Sequence, residues 1–165
     1  MTALTIPDWP PASNVFFVRA AQVYNAWKGY GVSDNFAIAM LTQAEFESAF
    51  NPAAVGDNET AYNLHQWHWN PRGASICIGT DIDVRTETSI MKIVSAAWWE
   101  LNNTEKNARD AILAAATVED ATTKACALFE GAGAADAVQR RVMGAQRWVT
   151  WLGQNQTFVS SHQAA

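Results

Sequence analysis

The stretch from Asn35 to Phe50, NFAIAMLTQAEFESAF, constrains this chain more than any other, because it is apolar nearly all the way round. At about 100° per residue, Phe36, Met40, Ala44 and Phe50 cover one side of a helix, while Ile38, Leu41 and Ala49 cover much of the other. A helix with no face to give to water belongs in the middle of a helical domain. Ser33, after the turn Gly29-Tyr30-Gly31, is a good N-cap, and Pro52 biases Asn51 out of the α region and predicts a stop there. Two carboxylates ride on this helix. Glu47 falls between Phe36 and Met40 on the wheel and Glu45 lies roughly 160–200° away, so the two cannot share one pocket. Glu47 sits in the last turn, where the negative end of the helix dipole and burial beside Phe46 and Phe50 both disfavour its ion. A carboxyl that keeps its proton near neutral pH is what a general acid requires.

The remaining chain is read around this helix. A first helix is expected over 14–29, with Val15, Phe16, Val18, Ala21, Val23, Tyr24 and Trp27 at helical spacing. Further helices are expected at about 87–102, 105–115, 118–130 and 134–152, with Gly131-Ala132-Gly133 breaking the last two apart. Between the buried helix and these, Gly56-Asp57-Asn58 signals a turn. After it, Tyr62, Leu64, Gln66 and His68 alternate with Asn63, His65, Trp67 and Trp69, the period of a short strand or hairpin arm. On such an arm His65 and His68 face opposite sides, which argues against a metal pair. Asn70-Pro71-Arg72 closes it, before a short helix with Ile76 and Cys77. Residues 1–13, with Pro7, Pro10 and Pro11, read as an extended arm, and the polar tail at 154–165 is expected to fray. The result is an α+β fold, mostly α, in one domain over 1–165, with a short β-hairpin beside a cleft.

Composition excludes several classes. At 165 residues and 49% hydrophobic content, the chain can bury about two-thirds of its unfolded surface without staples. Cys77 and Cys126 are expected as two reduced core thiols, with one bridge open to a protein maturing outside the cytoplasm. A formal charge of −5 and a pI near 5.1 oppose phosphate-driven nucleic-acid binding. MTALTIPDWPPAS has no signal-peptide pattern and no run approaches membrane-spanning length, so neither self-export nor stable membrane insertion is expected. Eight tryptophans fit either a core or stacking against sugar rings. Trp98 and Trp99 are expected to pack helices, and Arg72, Arg140 and Arg141 to make structural salt bridges or face solvent.

The pattern Glu47-Ser48-x-Phe50-Asn51-Pro52-x-Ala54-x-Gly56-Asp57, then Ala61-x-x-Leu64-x-Gln66-Trp67 and Arg72, resembles the phage tail lysozyme family of the lysozyme-like superfamily. The likeness extends through AAWWELN at 96–102, ALFEGAG at 127–133 and QRRVMGAQRW at 139–148, about residues 14–150 in all. The segment from Gly56 to Gln66 is also similar to the Gly-Asp through Gly-Leu-Met-Gln stretch of goose-type lysozymes and lytic transglycosylases. The resemblance implies cleavage of the β-1,4 bond between N-acetylmuramic acid and N-acetylglucosamine, with Glu47 as general acid and Asp57 as second carboxylate. Substrate contacts are expected from Tyr62, Asn63, Gln66 and Trp67, with at least one of Tyr62, Trp67 and Trp69 turned into the core; the Gln66 amide suits an N-acetyl group. Two positions depart from the pattern: Asn63 replaces a glycine, either holding the backbone further from sugar or keeping a left-handed turn, and His68 stands where goose-type enzymes can place an aspartate.

Hydrolysis would use a water on Asp57, and attack by the substrate's own 6-hydroxyl would instead give the anhydro product of a lytic transglycosylase. No metal or organic cofactor is called for. The expected partner is the peptidoglycan glycan strand. Synthesis in the host cytoplasm and delivery by a membrane pore or by the virion tail would bring the protein to the cell wall. A non-catalytic glycan-binding protein on the same fold and an unrelated helical interaction domain are the competing classes.

Overall fold

A computed structural model describes Trp9 and residues 14–165. The expected arm otherwise lies outside the described residues; Trp9 is half-buried against Phe17, Trp148 and Trp151. The central element is α2 (Asp34–Ser48), opened by Ser33, whose hydroxyl accepts the Phe36 N–H at 3.2 Å. Every residue from Phe36 to Ala44 is buried, as the all-round apolar pattern requires. Around it pack α1 (Asn14–Lys28), α6 (Val118–Lys124) and α7 (Ala135–Gln154). Each large apolar side chain so buried contributes about 1.5–3 kcal/mol. Next to them stand α4 (Ile90–Asn103) and α5 (Lys106–Leu113), and α6 continues through a wider π-type turn over Ala125–Phe129. Among the described residues no helix is long and apolar enough to cross a membrane.

The end of α2 departs from the expectation. The helix closes at Ser48 rather than at Phe50, because Ala49 and Phe50 both adopt left-handed backbone, φ 50° and 59°. For residues with a Cβ this costs about 1–2 kcal/mol each. The burial of Phe50 between Phe16 and Trp148 offsets that cost. Asn51 then turns the chain with its side-chain oxygen accepting the Ala53 N–H at 3.0 Å.

The aromatic arm is corrected too. The chain forms three short antiparallel strands in the order β1 (Val55–Gly56), β2 (Ala61–Tyr62) and β3 (Trp67–His68), pairing Val55 with Tyr62 and Tyr62 with Trp67. The single alternating arm breaks at 63–66, where Asn63 (φ 72°) and Gln66 (φ 48°) are both left-handed and fold the segment back. A short α3 (Ala74–Thr80) follows, holding Ile76 and Cys77. The polar tail does not fray. It forms α8 (Gln156–Ser161), which lies on α1 with Val159 buried and the Asn25 amide donating to the carbonyls of Val159 and His162 at 2.7 and 2.9 Å.

Both cysteines are free, Cys126 buried and Cys77 half-buried. Most of the tryptophan excess is structural: Trp27, Trp67 and Trp148 are fully buried, and Trp98 packs on Trp27, Tyr30 and Phe36.

Candidate active site

Glu47 stands in the last turn of α2 with its side chain 21% exposed, neither in bulk water nor sealed. Its carboxylate accepts a bond from Arg141 Nη2 at 2.6 Å, and Arg141 Nη1 also donates to Gln43 one turn back on α2, at 2.5 Å. Burial pushes the Glu47 pKa up, and the negative charge of Glu130 pushes it further; Arg141 and His65 pull it back without cancelling the rise. The direction matches the sequence reading, but its second cause is a neighbouring carboxylate. Glu45 is also raised by burial. It points the other way, as the wheel requires, and is enclosed by Trp9, Arg147 and Trp148, with the Trp148 N–H at 2.6 Å. Its lone pairs are occupied, which leaves Glu47 as the carboxyl with access to a ligand.

The three strands follow α2 directly. Asp57 occupies their first turn at φ 47°, its side chain 71% exposed and paired with His68 Nε2 at 3.2 Å. His68 is itself exposed, so this pair lies in solvent. Gln66 is half-buried, its Nε2 donating to the carbonyls of Asn63 at 2.9 Å and Ala54 at 3.3 Å. Its Oε1 lies over Gly56 so closely that a Cβ there would overlap it. Tyr62 is half-buried, its hydroxyl on the Glu59 carbonyl, and lines a depression of about 440 Å³ with Glu59, Thr60, His68, Trp69 and Asn70.

Two of the expected contacts point elsewhere. Trp67 is wholly buried and its N–H is bonded to Glu100 at 2.9 Å, so this ring belongs to the core. Of Tyr62, Trp67 and Trp69, it is the one turned inward. Asn63 is also buried; its amide donates to Val84 and Glu87 carbonyls at 2.9 and 2.8 Å, and its own oxygen takes the Leu64 N–H. Asn63 keeps the left-handed turn that a glycine would otherwise supply. Its side chain has nothing left to offer a sugar.

Three residues near Glu47 escaped the sequence reading. Arg141 was expected in a structural salt bridge or in solvent; it ion-pairs with Glu47 itself. It stands on the buried stripe Arg141, Gly144, Ala145 and Trp148 of α7, and a charge on an apolar stripe was the available signal. Glu130, just after the π-type turn, and His65, in the 63–66 loop, bond at 2.6 Å with their side chains 2% and 1% exposed. The two histidines do not share one strand as expected: His65 is buried in the 63–66 turn and His68 is exposed on β3. Arg72, as expected, is structural: it grips Glu100 at 2.7 and 2.9 Å.

Volume alone points to another place. A hollow of about 600 Å³ among α1, α2, α7 and α8 is larger, but its Tyr24 and Asp34 bond to each other. Tyr24 is pushed up to about 12 by burial and by Asp34, while Lys28 and Tyr24 hold Asp34 low. Neither group is poised to exchange a proton near neutral pH. Among the described residues, no group of three or more His, Cys, Asp or Glu is arranged to hold a metal ion.

No curated protein and no solved structure matches the chain. A family model does: the one described as phage tail lysozyme matches residues 18–152, which takes in α2, the three strands and α7 through Leu152. The chain therefore belongs to the phage tail lysozyme family, and with it to the lysozyme-like enzymes that degrade peptidoglycan.

Proposed function

We propose that the chain cleaves the β-1,4 bond between N-acetylmuramic acid and N-acetylglucosamine, with Glu47 as the general acid. One observation carries this reading: a partly exposed carboxyl, its pKa raised by burial and a like charge, at the end of the helix that leads into the short sheet. Glu47 gives its proton to the glycosidic oxygen as that oxygen takes the bonding pair and the muramoyl C1 develops oxocarbenium character. Arg141, 2.6 Å away, stabilises the carboxylate left behind. Asp57 is the proposed second carboxylate, taking a proton from the water that attacks C1. Gln66, its amide nitrogen pinned by two carbonyls, turns its oxygen to an N-acetyl N–H. Tyr62 provides the wall for a sugar ring, with Trp69 beside it in the same depression. Asn63 and Trp67 enter only as supports, one for the turn and one for the core.

A second reading has one observation in its favour. Asp57 is largely solvated and tied to His68, a poor setting for holding a single water. Attack by the 6-hydroxyl, its proton passing to the Glu47 carboxylate, would then give 1,6-anhydro ends. Release as an endolysin and carriage on a tail are the two delivery routes compatible with either chemistry.

Clearing of a peptidoglycan suspension by wild type and by Glu47→Gln tests the proposal. The variant is expected to lose at least about 10²-fold in rate, the usual worth of a general acid. Equal clearing by both would remove Glu47 from the mechanism. Binding without clearing by wild type would favour a glycan-binding role, and neither would favour a helical interaction domain. Mass spectrometry of the released ends separates reducing from anhydro products.

A further inference from the structure

We infer that Gln43 is a positioning residue for the proposed acid: by taking one arm of the Arg141 fork it confines the guanidinium to a single oxygen of Glu47 and leaves the other oxygen to carry the proton. What Glu47 does rests on the reading above; how the fork is shared does not.

Between Phe36 and Ala44, α2 is buried on every side, yet it carries two wholly buried polar residues, Thr42 and Gln43. Thr42 is satisfied within the helix, its hydroxyl donating to the Ile38 carbonyl at 2.8 Å. Gln43 reaches out to two other helices. Its Oε1 accepts from Arg141 Nη1 at 2.5 Å, and its Nε2 lies 3.4 Å from the Thr122 carbonyl of α6. Burying an amide costs free energy unless it is bonded, so packing gives no reason for one here; holding Arg141 does.

Gln43 and Glu47 stand four residues apart on one face of α2, about 6 Å along its axis. The Arg141 guanidinium, 9% exposed, spans them with its two terminal nitrogens, Nη2 reaching Glu47 Oε1 at 2.6 Å. The second Glu47 oxygen accepts no bond among the described residues. Elsewhere in the chain a guanidinium with two nitrogens to give closes on both oxygens of a carboxylate. Arg72 takes Glu100 at 2.7 and 2.9 Å, and Arg85 takes Asp83 at 3.0 and 2.7 Å, which holds the Asp83 carboxyl below the usual carboxylate range. Such a grip favours the ion. Glu47, pushed up by burial and pulled back by its single bond from Arg141, escapes that grip because Gln43 occupies Nη1.

The other ionisable groups in range of Glu47 are Glu130 and His65, and the Cys126 thiol feels Glu47 in turn. Glu45, on the same helix, faces away into its own cage. None of these changes in the two variants that separate the roles. Gln43→Met keeps the bulk and removes the acceptor, so Nη1 closes on the second Glu47 oxygen and Glu47 ionises at lower pH. The alkaline limb of the kcat/KM profile then moves down by about one unit, the lower end of what an adjacent guanidinium does to a carboxyl. Gln43→Glu keeps an acceptor on Nη1, so its limb stays at the wild-type position or above it. A limb unmoved in Gln43→Met, or lowered in Gln43→Glu, overturns the inference; the second result decides alone should the methionine variant not fold. A carbon-13 NMR titration of the Glu47 carboxyl in wild type and Gln43→Met reads the same fork without turnover. A lowered Glu47 midpoint in a protein that clears no peptidoglycan would sink the glycosidase reading and keep this one. Clearing with an unmoved midpoint would do the reverse.

Discussion

Gly56 is small so that Gln66 can be where it is. No left-handed backbone is required of Gly56; what forbids a side chain is the Gln66 oxygen lying over its Cα. That oxygen ends a flexible side chain, so Gly56→Ala is expected to displace the amide from its two carbonyl partners at little cost to the fold. If Gln66 receives an N-acetyl group, the alanine variant raises KM several-fold while the melting temperature stays within about 3 °C, a change of roughly 1 kcal/mol or less. An unchanged KM with a displaced amide would remove Gln66 from the substrate contacts. At this scale the sequence was readable wherever one residue's environment is local. The wheel separated Glu45 from Glu47, and the last-turn position beside Phe46 and Phe50 pointed to a raised Glu47 pKa. It could not show that Arg141, 94 positions away, closes on the same carboxylate, or that His65 finds Glu130 across 65 positions. Such pairings exist only once helices are packed, and only the charged position on the α7 stripe hinted at one.

Between elements, the approach of α7 to α2 sets the distance from Arg141 to Glu47. The two helices are in tight contact at Gly144, where an added Cβ would lie 2.7 Å from the Phe46 ring and 3.4 Å from the Thr42 methyl. Phe46 is flanked by Glu45 and Glu47, and its ring lies 5.6 Å from the Arg141 guanidinium. In a free helix, Gly144→Ala would gain up to about 1 kcal/mol in propensity. Here it forces the ring or the helix aside, and overpacking of this kind costs about 1–3 kcal/mol. A net loss in urea denaturation is expected, along with slower clearing as the ion pair is disturbed; a stabilised variant would show the contact to be slack. The helices themselves were legible because their apolar positions repeat at the helical period. The strands were less so. Four successive residues at 63–66 contain two left-handed positions filled by Asn63 and Gln66 rather than glycine, and alternation of polarity carries no trace of φ.

For the whole molecule, the C-terminal segment acts as a clasp joining elements distant in sequence. Val159 is buried on α1, Asn25 holds two of its carbonyls, and the Ala165 carbonyl accepts the Ser89 hydroxyl at 2.6 Å at the start of α4. Polar composition concealed this, since a six-residue helix with one buried valine has no period to read. Burial of one such side chain contributes about 1.5–3 kcal/mol, and each hydrogen bond about 0.5–1.5 kcal/mol. Removing residues 156–165 is therefore expected to cost about 2–4 kcal/mol after the entropy regained by the freed segment. For a domain of this size that lowers the melting temperature by about 5–15 °C. Glu47, Arg141, His65 and Glu130 all lie on α2, α7 and the loops between, none of which the clasp supplies. Peptidoglycan clearing at a temperature well below the new melting point should then match the full chain, while the calorimetric transition falls. A truncated chain that melts with the full one would show the segment to be merely laid on the surface.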